Sequence, residues 1–196
     1  MREQSWESRQ CSCCLELSSP HGVRMLQASP LLSLADLPAP EDFGTFHPFI
    51  KGVFSQWHHT PFELEGRTFV AAEQWMMFAK ARLFGDEPAA EAILATDRPD
   101  EQKRFGAGVA GFDQQIWDHW KIGLVHQGNL AKFRQNEGAA RQLRATGGAM
   151  LVEANPRDWI WGVGLSMDDP LVYSPAAWKG TNLLGRILTR VRAEVG

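Results

Sequence analysis

The run VAAEQWMMFAKARLF, Val70 to Phe84, decides the fold class. It holds neither Gly nor Pro, it is rich in strong helix formers, and Gly85 follows it as a stop, so it reads as the best helix of the chain. At about 100° per residue, Glu73, Met77, Lys80 and Phe84 fall on one stripe about 60° wide. The remaining surface carries Trp75, Met76, Phe78, Ala79 and Leu83, with Gln74 and Arg82 as the other strongly polar groups. A helix apolar nearly all round belongs inside a domain. A carboxylate and an ammonium two turns apart on such a helix then have two readings. Either the stripe is the solvated edge, or both groups project into one ligand cavity where desolvation and mutual attraction tune their protonation.

Upstream, Phe62 to Phe69 alternates apolar and polar residues around Gly66 and predicts a short hairpin. Phe46 to Trp57, punctuated by Pro48 and Gly52, predicts a strand pair or a strand and turn. Downstream, short helices are expected over Pro88–Ala95 and Arg98–Gly106, the second acidic in its first turn. Phe112 to Asn136 is long and largely helical, opened by Asp113 and interrupted by Gly123 and Gly128. Glu137–Thr146 makes another short helix, Met150 to Ala154 a short buried strand, and Asn182 to Val195 a C-terminal helix. The sum is α+β: a mostly α-helical single domain with a few short strands and hairpins.

The chain has 196 residues, 44% of them hydrophobic, which suits one domain or one domain with a tail. No apolar run approaches the roughly 18–20 residues of a membrane span, so no membrane partner is expected. A net charge of −3 argues against wholesale nucleic-acid binding and leaves room for a local basic patch. Eight Trp against one Tyr is the outlier, and it fits either a Trp-rich core or a pocket that stacks a planar ligand. Residues 1–40 lack a sustained period and are expected to form a disordered or loosely attached tail, with the domain over 41–196. Cys11, Cys13 and Cys14 have no downstream partner, which excludes a disulfide framework and points to a reducing, cytoplasmic setting.

Between Asn155 and Gly164, Gly162 and Gly164 would let backbone N–H groups approach a phosphate, or else supply a turn with positive φ. Asp158 stands three residues before Trp161, a carboxylate beside a stacking platform. Phe54, Ser55, Gln56 and Trp57 offer a hydroxyl, an amide and two rings, suited to gripping a planar polar base and equally to an ordinary strand. His58 and His59 lack a third ligand at sensible spacing, so neither metal nor cofactor is assigned. Lys132, Arg134, Arg141 and Arg144 are expected on a solvated face. No nucleophile elbow, P-loop or zinc-deaminase pattern is present.

Taken in order, Phe54 to Trp57, Pro61-Phe62, Glu73-Gln74, Lys80-Ala81, Phe112-Asp113, Trp117, Lys132-Phe133 with Asn136, Asp158 to Leu165, and Trp178 to Gly185 resemble the NADAR (YbiA-like) family. The likeness runs from about Phe43 to the C-terminus. Two departures show: Gln56 where the family often has Asn, and Gly106-Ala107 where it often has Gly-Arg.

The resemblance implies an N-glycosidase that hydrolyses a ribosyl C–N bond. Its substrate would be a phosphoribosylated pyrimidine intermediate of riboflavin synthesis, or an ADP-ribosylated guanine in a nucleotide or nucleic acid. Such a reaction passes through an oxocarbenium-like state that a carboxylate stabilises. Glu73 is the candidate carboxylate. Lys80 would bind phosphate, or attack C1 of the opened sugar as an amine. Asp158 would hold ribose hydroxyls or polarise the water. Trp57 and Trp161 would sandwich the base, with the Gly162 and Gly164 amides on ribose or phosphate, and Phe54, Ser55, Gln56, Trp117, Trp178 and Asn182 completing the substrate-binding set. The alternative is a non-catalytic module that reads ADP-ribose or a related nucleotide.

Overall fold

A computed structural model describes residues 32–196, so the three cysteines lie outside the described residues. Helix α1 (Ala72–Leu83) runs through the middle of the protein, with every residue from Ala72 to Ala79 buried. It packs against α2 (Glu87–Leu94), α3 (Pro99–Ala107) and α4 (Gln114–Gln135). Asp86 caps α2 by accepting from the Ala89 N–H at 3.1 Å, and Asp113 caps α4 by accepting from Ile116 N–H at 2.9 Å. Each satisfies a donor that the first helical turn leaves free.

Helix α4 is continuous across both glycines that were expected to interrupt it. At Gly128 the reason is steric: a Cβ there would overlap the Trp75 indole of α1. Trp75 Nε1 also donates to the Leu124 carbonyl at 2.7 Å. Gly128 therefore lets two helices approach closely around a fully buried indole, at the modest cost of glycine within a helix.

The expected hairpin forms as β2 (Phe62–Leu64) and β3 (Arg67–Phe69). Glu65 and Gly66 both have positive φ, 53° and 70°, the backbone a two-residue turn of the mirror-image type requires. Strand β1 (Phe46–Phe49) has no local partner. It pairs in parallel with β4 (Met150–Glu153), Phe46 opposite Met150 and Phe49 opposite Glu153, and α1 to α4 and α5 (Glu137–Ala145) lie between them in sequence.

The other edge of β4 is closed by helix α6 (Leu183–Glu194) and its leading residue. Asn182 accepts from Glu153 N–H at 3.0 Å and donates to the Leu151 carbonyl at 2.9 Å. Thr189 Oγ1 accepts from Leu151 N–H at 3.0 Å. Side chains thus take the place of a third strand along β4. Val152, Ala154, Val163, Leu165 and Val172 form a smaller apolar cluster beside the main core.

Part of the segment expected to be loosely attached packs onto this frame. Leu32 and Leu37 are buried in the main core. Arg186 donates to the Pro38 carbonyl at 2.9 Å and Arg190 to that of Asp36 at 2.7 Å. The lack of a sustained period hides this docking, because single leucines enter the core and backbone carbonyls do the bonding. Among the described residues no helix is long and apolar enough to cross a membrane.

Candidate functional site

A cleft of about 880 Å³ opens between α1, α3, the loop after β1 and the segment that follows β4. Glu73 and Lys80 both line it. Of the two readings of the α1 stripe, the structure has the cavity, since Glu73 is 4% exposed. The Glu73 N–H, one of the free donors of the first turn, is taken by the Gln56 carbonyl at 3.0 Å. That bond ties the loop carrying Gln56 and Trp57 to the start of α1.

Burial pushes the Glu73 carboxyl up to about 7; the charge of Lys103 and a hydrogen bond from Trp57 pull it down, and Asp158 adds to the rise. Lys80 donates to the Gly106 carbonyl at 2.8 Å, and its ammonium sits 4.2 Å from the Phe112 ring centroid and 5.7 Å from that of Trp117. Burial lowers its pKa. No carboxylate pairs with Lys80 among the described residues. It is a cation held by a carbonyl and two rings, open to an anion.

Ser55, Gln56, Trp57, Trp117, Asp158 and Trp161 line the same cleft. Trp57 is 47% exposed at its mouth. Gln56 donates to Asn129 at 3.1 Å, and its Oε1 is buried without a hydrogen-bond partner. Asp158 accepts from the N–H groups of Ile160 and Trp161 at 3.0 and 2.8 Å, so its carboxylate shapes the turn that presents Trp161.

Five expected site residues lie elsewhere. Phe54 is buried between the rings of His47 and Phe49, 5.7 and 5.6 Å away. Trp178 packs edge-on against Phe46 and donates to the Val172 carbonyl at 2.9 Å, in the smaller apolar cluster. Asn182 bridges β4 and α6 as described above. A Cβ at Gly162 would stand 2.8 Å from the Glu153 carbonyl oxygen, and one at Gly164, where φ is 70°, 2.8 Å from Trp159. Both glycines answer to close backbone packing, and neither lines the cleft.

Other cleft residues carried no expected role. Lys103, Gly106 and Ala107 come from one face of α3, at the i, i+3 and i+4 spacing that could have revealed them. Lys51 and Arg157 add two more cations. Glu153, the last residue of β4, was hidden in a run that reads as plain buried strand. Burial and the nearby Asp158 push its carboxyl up to about 8.

Lys132 corrects the expectation of a solvated face. It is fully buried on α4, donates to the Ser55 carbonyl at 3.2 Å, and is pushed down to about 7 by burial. It braces the loop under Gln56 and Trp57, whereas Arg134 and Arg141 are exposed.

Comparison with known proteins agrees with the resemblance read from the motifs. A family model for the NADAR domain matches residues 45–196. An N-glycosidase of Acanthamoeba polyphaga mimivirus is 40% identical over 147 residues, covering 72% of this chain and 86% of that protein. A chloroplastic riboflavin biosynthesis protein of Zea mays is 30% identical over 56% of this chain and 17% of its own length. The NMR structure of the E. coli protein YbiA superposes with a TM-score of 0.63 at 27% identity, covering 76% of this chain and 84% of that one.

Proposed function

The chain belongs to the NADAR domain family and is a glycosidase of that family; from this premise we propose that it hydrolyses the C–N bond between a phosphorylated ribose and a planar base. The observation that carries the reading is the pair Glu73 and Lys80, two turns apart on one buried helix and facing one cleft with Trp57 and Trp161.

Breaking the bond leaves positive charge shared between C1 and the ring oxygen. Glu73, ionised over part of its population at neutral pH, stabilises that charge and takes a proton from the water that adds to C1. Lys80 holds a phosphate or sugar oxygen, and its lowered pKa also suits amine attack on C1 of an opened sugar. The base lies against Trp57 and Trp161, and the unpartnered Gln56 Oε1 accepts from an amino group on it.

Lys51, Lys103 and Arg157 around the opening favour a substrate that carries phosphate. The volume, towards the upper end of the roughly 300–1,000 Å³ of small-molecule sites, accommodates an ADP-ribosyl group as well as a ribose 5-phosphate. Two incubations test the reading: one with a phosphoribosylated aminopyrimidine, followed for ribose 5-phosphate, and one with ADP-ribosylated guanine, followed for ADP-ribose. Release from one of them is the expected result. Stoichiometric binding with no product from either would overturn hydrolysis in favour of a nucleotide reader. Borohydride trapping during turnover distinguishes the two roles of Lys80, since only the amine route leaves the sugar covalently attached.

A further inference from the structure

We infer that Glu153, at the C-terminal end of β4, is the general acid that hands a proton to the departing base. The inference rests on the glycosidase reading and supplies the step which that reading leaves open. A base expelled as an anion is a poor leaving group, so a positioned neutral acid must meet its nitrogen. That acid has to be rigid, to share the cleft with Glu73, and to keep its proton while Glu73 gives its own up.

Glu153 meets all three requirements. Its backbone is held on three sides. The N–H donates to Asn182 at 3.0 Å, the carbonyl accepts from Val163 N–H at 3.0 Å, and Phe49 stands opposite in the parallel pair. Gly162 presses on the stem of the side chain, since a Cβ there would lie 3.2 Å from Glu153 Cγ. The residue is 8% exposed and lines the cleft. Its carboxyl has no hydrogen-bond or ion-pair partner among the described residues.

The charged groups of the cleft set the order of ionisation. From the segment after β4 come Asp158 and Arg157, from α1 Glu73 and Lys80, from α3 Lys103, and from the loop after β1 Lys51 and His58. Helix α6 turns Leu184, Gly185 and Thr189 towards β4, none of them charged. Burial and Asp158 raise both carboxyls, and on Glu73 alone the charge of Lys103 and a hydrogen bond from Trp57 oppose that rise. Two groups of the cleft thus favour the ionised form of Glu73, and none favours that of Glu153, which makes Glu153 the one to hold its proton.

In the step itself, the C1–N electron pair moves onto the base nitrogen, which takes the proton from Glu153. Water adds its oxygen to C1 and passes a proton to Glu73. Proton exchange with solvent restores both carboxyls, so base and sugar leave with the elements of one water between them.

The test uses Glu153→Gln and two substrates. One is the base that needs protonation. The other is a ribosyl pyridinium 5′-phosphate, whose base departs neutral without a proton. We expect a kcat loss of about 10²–10⁴-fold on the first and under about 10-fold on the second. The wild-type decline in rate above pH about 8 should vanish in the variant, with product affinity kept and melting temperature no lower than that of the wild type. Equal losses on both substrates, or an alkaline limb retained by Glu153→Gln, would overturn the assignment. If the wild type does not accept the pyridinium, the pH profile decides alone. If Glu153→Gln does not melt cooperatively, Glu153→Met, which also removes the titrating proton, takes its place on the same criteria. A wild type that cleaves no ribosyl N-glycoside sinks the glycosidase reading itself, whereas an active wild type matched by the variant sinks only the role of Glu153.

Discussion

Glu73→Gln keeps the shape of a side chain that is 4% exposed and removes its charge, and the two consequences run in opposite directions. For activity, a charge developing about 4 Å from the carboxylate at an effective dielectric of about 20 is stabilised by about 4 kcal/mol. At about 1.4 kcal/mol per decade, its loss lowers kcat about a thousandfold. For stability, the folded-state pKa of about 7 lies above the ordinary 4.5. Between those values the unfolded chain has released a proton that the folded chain keeps, so wild-type stability falls as pH rises from 4.5 to about 7. The difference corresponds to at most about 3 kcal/mol. Glu73→Gln carries no such burden. Thermal melting of both proteins across pH 4.5–8 should therefore give similar curves at the acid end and a more stable variant from pH 7 upward. Activity on the released-sugar assay should fall over the same range. Full activity in the variant would refute the catalytic role, and equal destabilisation at every pH would refute the buried carboxyl with its raised pKa.

Lys103→Met removes the charge that holds Glu73 down, so the acid limb of the pH–rate profile should move to higher pH; an unmoved limb would show that Lys103 does not act on Glu73. Gly128→Ala inserts a methyl where the Trp75 indole lies and should cost about 1–3 kcal/mol by overpacking, read by denaturant melts, with loss of the native Trp fluorescence environment. Deleting residues 1–41 takes Leu32 and Leu37 out of the core and the carbonyl partners from Arg186 and Arg190. The shortened chain should melt at lower temperature, by about 1–3 kcal/mol once the ordering entropy of the segment offsets its apolar burial; an unchanged melt would show that the segment contributes nothing.

The parts of this protein that were legible in the sequence are those set by neighbours in the chain. The α1 stripe that brings Glu73 and Lys80 together follows from helical spacing alone. The hairpin at Glu65-Gly66 follows from a turn that only certain backbones can make. Trp57, Asp158 and Trp161 stood out as rings and a carboxylate clustered in short loops, and they line the cleft.

What tertiary structure alone decided is which of two local meanings a residue carries. A glycine inside a helix reads as a break, yet Gly128 is an opening for an indole from another helix. Gly162 and Gly164 read as an anion cradle, yet the backbone of β4 and the Trp159 ring set their size. Asn182 and Trp178 read as ligand groups, yet each satisfies a carbonyl that a short two-stranded sheet or a tight turn leaves open. Lys132 and Glu153 are charges whose burial has no local signature, because burial belongs to what packs around a residue and not to its neighbours along the chain. Local pattern therefore reached α1 and its two polar groups, and the pairing of β1 with β4 across more than a hundred intervening positions built the other wall of the cleft.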